Sequence, residues 1–193
     1  MNKSKKIRQA NNFEIDIIIN SLSQISPKFK LSESQFDIYI FLNDKSKNRQ
    51  LSVYITRRKF IDLGKLMNFT NIHSLGLYFG FIRKGIFFLS LEGADYLYKS
   101  DYISKTNYLI VNEEGEKALL YGNHVIKKMI TFFSMELTTN SVVVILNKSK
   151  ELLALGIIKV EGNRINSSKP EEVIAINLVD KGYYLRKERI ILT

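Results

Sequence analysis

From residue 108 onward the chain is cut into short runs of branched and aromatic residues, with one helix-like stretch placed early among them. The runs are Tyr108–Val111, Val125–Phe133, Val142–Leu146, Leu152–Lys159, Val173–Leu178 and Tyr183–Arg186, each bounded by polar or turn residues. Glu113–Tyr121 reads as the helix, with Gly122 as its C-terminal stop. Several short strands leave many edges to hide, and closing the sheet on itself is the economical solution, so this half predicts a small β pseudo-barrel.

The first half reads differently. Apolar residues at 15, 17, 18, 19, 22 and 25 make one broad helical face over Ile15–Ile25. Phe36–Leu42 is a strand, Asn43–Gln50 a polar loop, and Leu51–Ile55 the returning strand of a hairpin. Thr56 is placed to cap a second helix carrying Phe60, Leu63, Leu66 and Met67. Ser74–Ile82 and Ile86–Leu91 form another hairpin about Arg83-Lys84-Gly85, and Glu92–Tyr98 a short helix. The fold class is therefore α+β, a mostly antiparallel sheet with flanking helices followed by the pseudo-barrel. The polar stretch Lys99–Asn107 marks the boundary, giving domains 1–104 and 105–193.

Charge narrows the partner. Lysine and arginine number 29 against 19 acids, a net of +10 with a pI near 9.6, which favours a polyanion through counterion release. Residues 1–70 hold 13 basic and 6 acidic side chains, and residues 71–193 hold 16 and 13, so most of the field originates in the first half. No cysteine is present, which excludes disulfides and thiolate-ligated metal. His73 and His124 alone make a poor metal set, and His124 is expected to hydrogen-bond the turn at Gly122-Asn123. No run approaches the ~18 apolar residues of a membrane span, so no membrane partner is expected. Leu75–Gly80 has two glycines but bulky neighbours and no following helix, so it is no dinucleotide fingerprint. Neither a nucleophile elbow nor a phosphate cradle occurs, and an enzyme is not expected.

Six ordered segments carry a more specific signal. Ala118-Leu119-Leu120-Tyr121-Gly122-Asn123-His124-Val125 is followed in order by Val142-Val143-Val144, by Leu155-Gly156-Ile157-Ile158-Lys159, and by Asp180-x-Gly182-x-Tyr184-Leu185-Arg186-x-Glu188. Upstream stand Leu75-Gly76-x-x-Phe79-Gly80 and Asp95-Tyr96-Leu97. Together these blocks resemble the Nip-seven family of ribosome-biogenesis proteins, which pairs a pre-PUA domain with a C-terminal PUA domain, and the compact chain suits an archaeal member. The resemblance covers residues 74–193 and is faint before them. It departs from the family at Lys127–Ile130, where a glycine-containing turn is usual, and between Lys159 and Pro170, which is slightly longer.

The resemblance implies a non-catalytic RNA-binding factor of large-subunit assembly, monomeric and without a cofactor. Its RNA would be single-stranded precursor ribosomal RNA, and its protein partners assembly factors or exosome subunits. It would act in the cytoplasm, or in the nucleolus of a eukaryote. Two alternatives remain open at this level, an adaptor for RNA processing or decay and a minimal RNA-modifying enzyme. PUA-type recognition needs cations along one edge, and the family comparison directs attention to Lys159, Arg164 and Lys169. Lys127 and Lys128, on an expected alternating strand, and Arg186, beside Tyr183-Tyr184 with Lys187 and Arg189, are further candidates, although Arg186 is also placed to pair with a neighbouring acid. A secondary basic patch comprises Lys45, Lys47, Arg49, Arg57 and Arg58.

Overall fold

The computed structural model describes residues 6–29, 36–42, 50–58, 72, 74–104, 106–183 and 186. The chain divides into two compact units, Met1–Ser23 with Phe29–Tyr96, and Gln24–Lys28 with Leu97–Thr193.

In the first unit β1 (Lys6–Gln9), β2 (Phe36–Leu42), β3 (Leu51–Arg57), β4 (Leu77–Arg83) and β5 (Ile86–Leu89) form one antiparallel sheet in chain order. β2 has the bounds its sequence predicts. Its unbroken apolar run buries both faces, Ile38 and Ile40 on one, Tyr39 and Phe41 on the other with Leu75. Helix α1 (Asn12–Leu22) starts three residues before the first apolar position that predicts it, because capping chemistry rather than periodicity sets a helix start. Asn11 Oδ1 accepts the Glu14 N–H at 2.9 Å and Glu14 Oε2 accepts the Asn11 N–H at 3.0 Å, a reciprocal capping box. Glu14 also takes two guanidinium bonds from Arg8 of β1, at 2.6 and 2.7 Å, and chiefly these hold its carboxyl below the usual range. Ser90 starts α2 (Leu91–Lys99), accepting the Gly93 N–H at 2.9 Å and donating to the Tyr78 carbonyl at 2.8 Å.

Thr56 is not an N-cap. It lies inside β3 opposite Asp37, and its hydroxyl donates to the Arg57 carbonyl at 3.3 Å, since strand pairing continues two residues past Ile55. The helix expected beyond it, with Phe60, Leu63, Leu66 and Met67, lies outside the described residues.

In the second unit β6 (Tyr108–Val111), β7 (Val125–Ile126), β8 (Ile130–Phe133), β9 (Val142–Leu146), β10 (Leu152–Ile158) and β11 (Val173–Asp180) join in the order β7-β11-β10-β9-β6-β8. All pairs are antiparallel except β6 with β9. The two edge strands are separated in the chain only by the 3₁₀ turn Lys127–Met129. From Ile126 to Ile130 is four Cα steps, roughly 14 Å at full stretch, whereas the edges of a flat six-stranded sheet stand about 24 Å apart. The sheet must therefore curl, and it forms a nearly closed barrel around Leu109, Val111, Val143, Ile145, Ile158 and Ile174. Leu119 from α3 (Glu113–Leu120) enters the same core.

This topology corrects two expectations. Val125–Phe133 is not one strand, because β7 pairs with β11 and β8 with β6, and the residues between must turn from one edge to the other. No alternating face therefore separates Lys127 from Lys128. Tyr183–Arg186 is not a strand either: Gly182, Tyr183 and Arg186 are helical, while Tyr184 and Leu185 lie outside the described residues.

Candidate nucleic-acid interface

Between β10 and β11 the chain forms a six-residue 3₁₀ helix, Gly162–Ser167. Three residues per turn place positions i and i+3 on one side, so Gly162 and Ile165 both face inward. The Gly162 N–H donates to the Leu137 carbonyl at 2.8 Å, and Ile165 is fully buried in the barrel core. Asn163, Arg164, Asn166 and Ser167 are left exposed. A single apolar anchor thus presents a cation flanked by amide and hydroxyl groups.

Lys159 is exposed just past β10, its N–H donating to the Ile174 carbonyl at 2.8 Å. Lys169 is exposed where the chain re-enters β11, its N–H held by Glu172 Oε2 at 3.2 Å. The Lys127 N–H donates to the Glu172 carbonyl and the Lys128 N–H to the Pro170 carbonyl, both at 3.0 Å. The backbone thereby gathers Lys127, Lys128, Lys159 and Lys169 around residues 170–174, with Arg164 on the same loop.

Their charges are not equally available. Lys128 binds Glu114 at 2.9 Å and Glu171 at 3.5 Å, and Glu114 chiefly raises its pKa. The Lys127 ammonium lies 5.1 Å from the centre of the Phe133 ring, a cation–π contact that leaves the charge in place. Lys159, Arg164 and Lys169 make no ion pair with a described carboxylate. Glu161 sits beside Arg164 but is engaged by Thr139, whose N–H it accepts at 2.9 Å; Thr139 chiefly lowers its pKa and Arg164 adds to this.

Arg186 belongs to a different place. Its guanidinium binds Asp180 at 2.9 and 3.0 Å and donates to the Leu120 carbonyl. Asp180 ends β11, roughly 24 Å of extended strand from Val173 at the other end. The Ala118–Val125 and Asp180–Glu188 blocks meet at this clip. Gly122 adopts φ of 87° and closes α3 with a Schellman pair, its N–H on Leu119 and the Asn123 N–H on Ala118, at 2.8 and 2.9 Å. Gly182 packs so closely on the Leu120 carbonyl that a Cβ there would overlap it. His124 accepts the Asn177 N–H at 3.4 Å across to β11, not within its own turn, and Asn177 Nδ2 reaches the Asn123 carbonyl at 3.3 Å and Asp180 at 2.9 Å. The acid partner of Arg186 was legible in the sequence, whereas the carbonyl it also holds was not.

Of the secondary patch, Arg57 ends β3 and Arg58 begins the following turn, both exposed. Lys45, Lys47 and Arg49 lie outside the described residues, as do His73, Lys187 and Arg189. Among the described residues no three His, Asp or Glu side chains converge as metal ligands, and no helix is long and apolar enough to cross a membrane. Sequence reasoning missed Phe132 and Met135. Phe132 is exposed on β8 and stacks on Tyr108 at 5.5 Å, and Met135 is exposed in the loop that follows. Their exposure depends on β8 being a sheet edge, which hydrophobic pattern does not encode.

Residues 107–189 match the family model of the UPF0113 PUA domain. A UPF0113 protein of Archaeoglobus fulgidus is 28% identical over 187 residues, 96% of this chain and 98% of its own length. The 60S ribosome subunit biogenesis protein nip7 of Schizosaccharomyces pombe is 28% identical over 138 residues, 70% of this chain and 74% of its own. A solved structure of a conserved PUA domain protein from Thermoplasma acidophilum superposes with a TM-score of 0.64 at 12% identity, covering 95% of this chain and 99% of that one. Residues 107–189 thus resemble the UPF0113 PUA domain, in a chain that is similar to an archaeal UPF0113 protein nearly end to end.

Proposed function

We propose that this protein is a non-catalytic RNA-binding factor of large ribosomal subunit assembly. Its C-terminal domain, residues 105–193, grips a single-stranded segment of precursor ribosomal RNA, and residues 1–104 dock on other assembly components. It acts as a monomer where pre-ribosomes mature, in the cytoplasm or, in a eukaryotic cell, the nucleolus. The observation that carries this reading is the set of cations Lys159, Arg164 and Lys169, none ion-paired among the described residues, around a 3₁₀ helix whose outer side offers Asn163, Asn166 and Ser167. Cations suit phosphate, and amide and hydroxyl groups suit unstacked bases or 2′-hydroxyls. The ribosome-biogenesis name of the fission-yeast relative supports the choice of RNA.

The test is a salt series of RNA affinities for the full chain and for the variant Lys159→Ala/Arg164→Ala/Lys169→Ala. Each lost single-strand phosphate contact removes ~0.7 from the slope of log K against log salt, so the variant should lose about 2. All three side chains are exposed, so stability should move by no more than about 0.5 kcal/mol. An unchanged slope would remove the RNA site from this loop.

A further inference from the structure

The first unit contains a cavity that the RNA reading does not use. Alternation along β3 sends Val53, Ile55 and Arg57 to one face, and register sets Phe36 opposite Arg57 and both Ile38 and Leu77 opposite Ile55. Val53, Ile55 and Ile38 are core residues, so the pattern delivers a guanidinium at the position where the next apolar side chain would stand. Tyr96 of α2 meets Phe36 edge to face, ring centres 5.7 Å apart at 83°. Phe36, Ile55, Leu77, Tyr96 and Arg57 line a cavity of about 530 Å³, within the ~300–1,000 Å³ of small-ligand sites. Among the described residues no carboxylate lines it, and neither the Arg57 guanidinium nor the Tyr96 hydroxyl has a partner.

We propose that this cavity binds one nucleoside monophosphate unit, its base against Phe36 and Tyr96 and its phosphate on Arg57. Aromatic walls favour a planar ring over an aliphatic chain. An unpaired guanidinium favours a bidentate oxyanion. A net charge of +10 draws anions to the protein as a whole. The chemistry is common to a free mononucleotide and to the phosphate-bearing end of an RNA strand. This site goes beyond the RNA-binding loop of the second unit and stands or falls independently of it.

Equilibrium dialysis of the full chain against the four nucleoside 5′-monophosphates, adenosine, and a trinucleotide with and without a 5′-phosphate tests it. Saturable binding is expected, weakened about tenfold or more by Arg57→Ala, ~1.4 kcal/mol or more. Arg57→Lys keeps the charge but loses the fork and should recover only part of it. Adenosine should be insensitive to Arg57→Ala, and the triple variant at Lys159, Arg164 and Lys169 should bind monophosphates as the parent does. Arg57-sensitive binding of free monophosphates identifies a mononucleotide site, and such binding of the 5′-phosphorylated trinucleotide alone identifies an RNA end. Absence of any Arg57-sensitive ligand, or equal affinity with and without the phosphate, overturns the proposal.

Discussion

The Asp180 side chain is 4% exposed, and a carboxylate so placed needs a cation within reach. Arg186 supplies two bonds to it and a third to the Leu120 carbonyl, tying the end of β11 to the end of α3. Arg186→Ala leaves that charge with the Asn177 amide as its remaining donor and should cost about 1–3 kcal/mol, read as a lower urea midpoint at unchanged m-value. Arg186→Lys should recover only a fraction, because a point charge cannot span both acceptors. The RNA salt slope should move far less than in the loop variant, since this guanidinium is already engaged by protein oxygens. A slope loss near 0.7 with stability intact would instead make Arg186 a phosphate contact. At this scale the sequence was partly legible. The spacing of the Gly122 and Gly182 blocks pointed to a shared architecture, and an acid partner for Arg186 could be expected. The Leu120 carbonyl and the Asn177–His124 bond could not, because backbone acceptors and cross-strand partners exist only once the barrel has closed.

Elements were most legible where their cause is local. β2, β6 and β9 have the bounds that their apolar runs predict, and Gly122 stops α3 as its lack of a side chain suggested. Asn11-x-x-Glu14 is a readable cap that apolar periodicity alone does not reveal. Val125–Phe133 failed for a non-local reason: its branched residues suit a strand, but its halves pair with opposite edges of the sheet. The 3₁₀ helix Gly162–Ser167 leaves no mark in the sequence, since one buried isoleucine among polar residues gives no period. Ile165 makes that element testable. Ile165→Ala removes its anchor without touching a charge, and a fully buried isoleucine loses about 2–5 kcal/mol on truncation. RNA affinity measured below the melting range should fall with the salt slope held within ~0.7 of the parent, the mark of mispositioned rather than missing cations. Unchanged affinity would mean that RNA does not use this helix.

Charge is distributed over the whole molecule against the grain of the proposed site. Residues 1–70 carry 13 basic and 6 acidic side chains, yet the cations of the proposed RNA-binding loop lie in a half with 16 and 13. Contact and long-range field need not come from the same residues: phosphate contacts set how slowly RNA leaves, and net charge sets how fast it arrives. Replacing Lys45, Lys47 and Arg49 with glutamine takes the net charge from +10 to +7. If these residues only steer, association should slow severalfold at 30 mM salt, and the difference should shrink near 150 mM, where the Debye length is about 8 Å. Dissociation should stay as in the parent. The loop variant should show the reverse balance, with faster dissociation carrying most of its loss. Stopped-flow association and chase experiments on an RNA without a 5′-phosphate separate the two, because that ligand leaves the Arg57 cavity unaddressed. Faster dissociation in the Lys45/Lys47/Arg49 variant would place those residues on the RNA itself, and the binding surface would then extend to both halves of the chain.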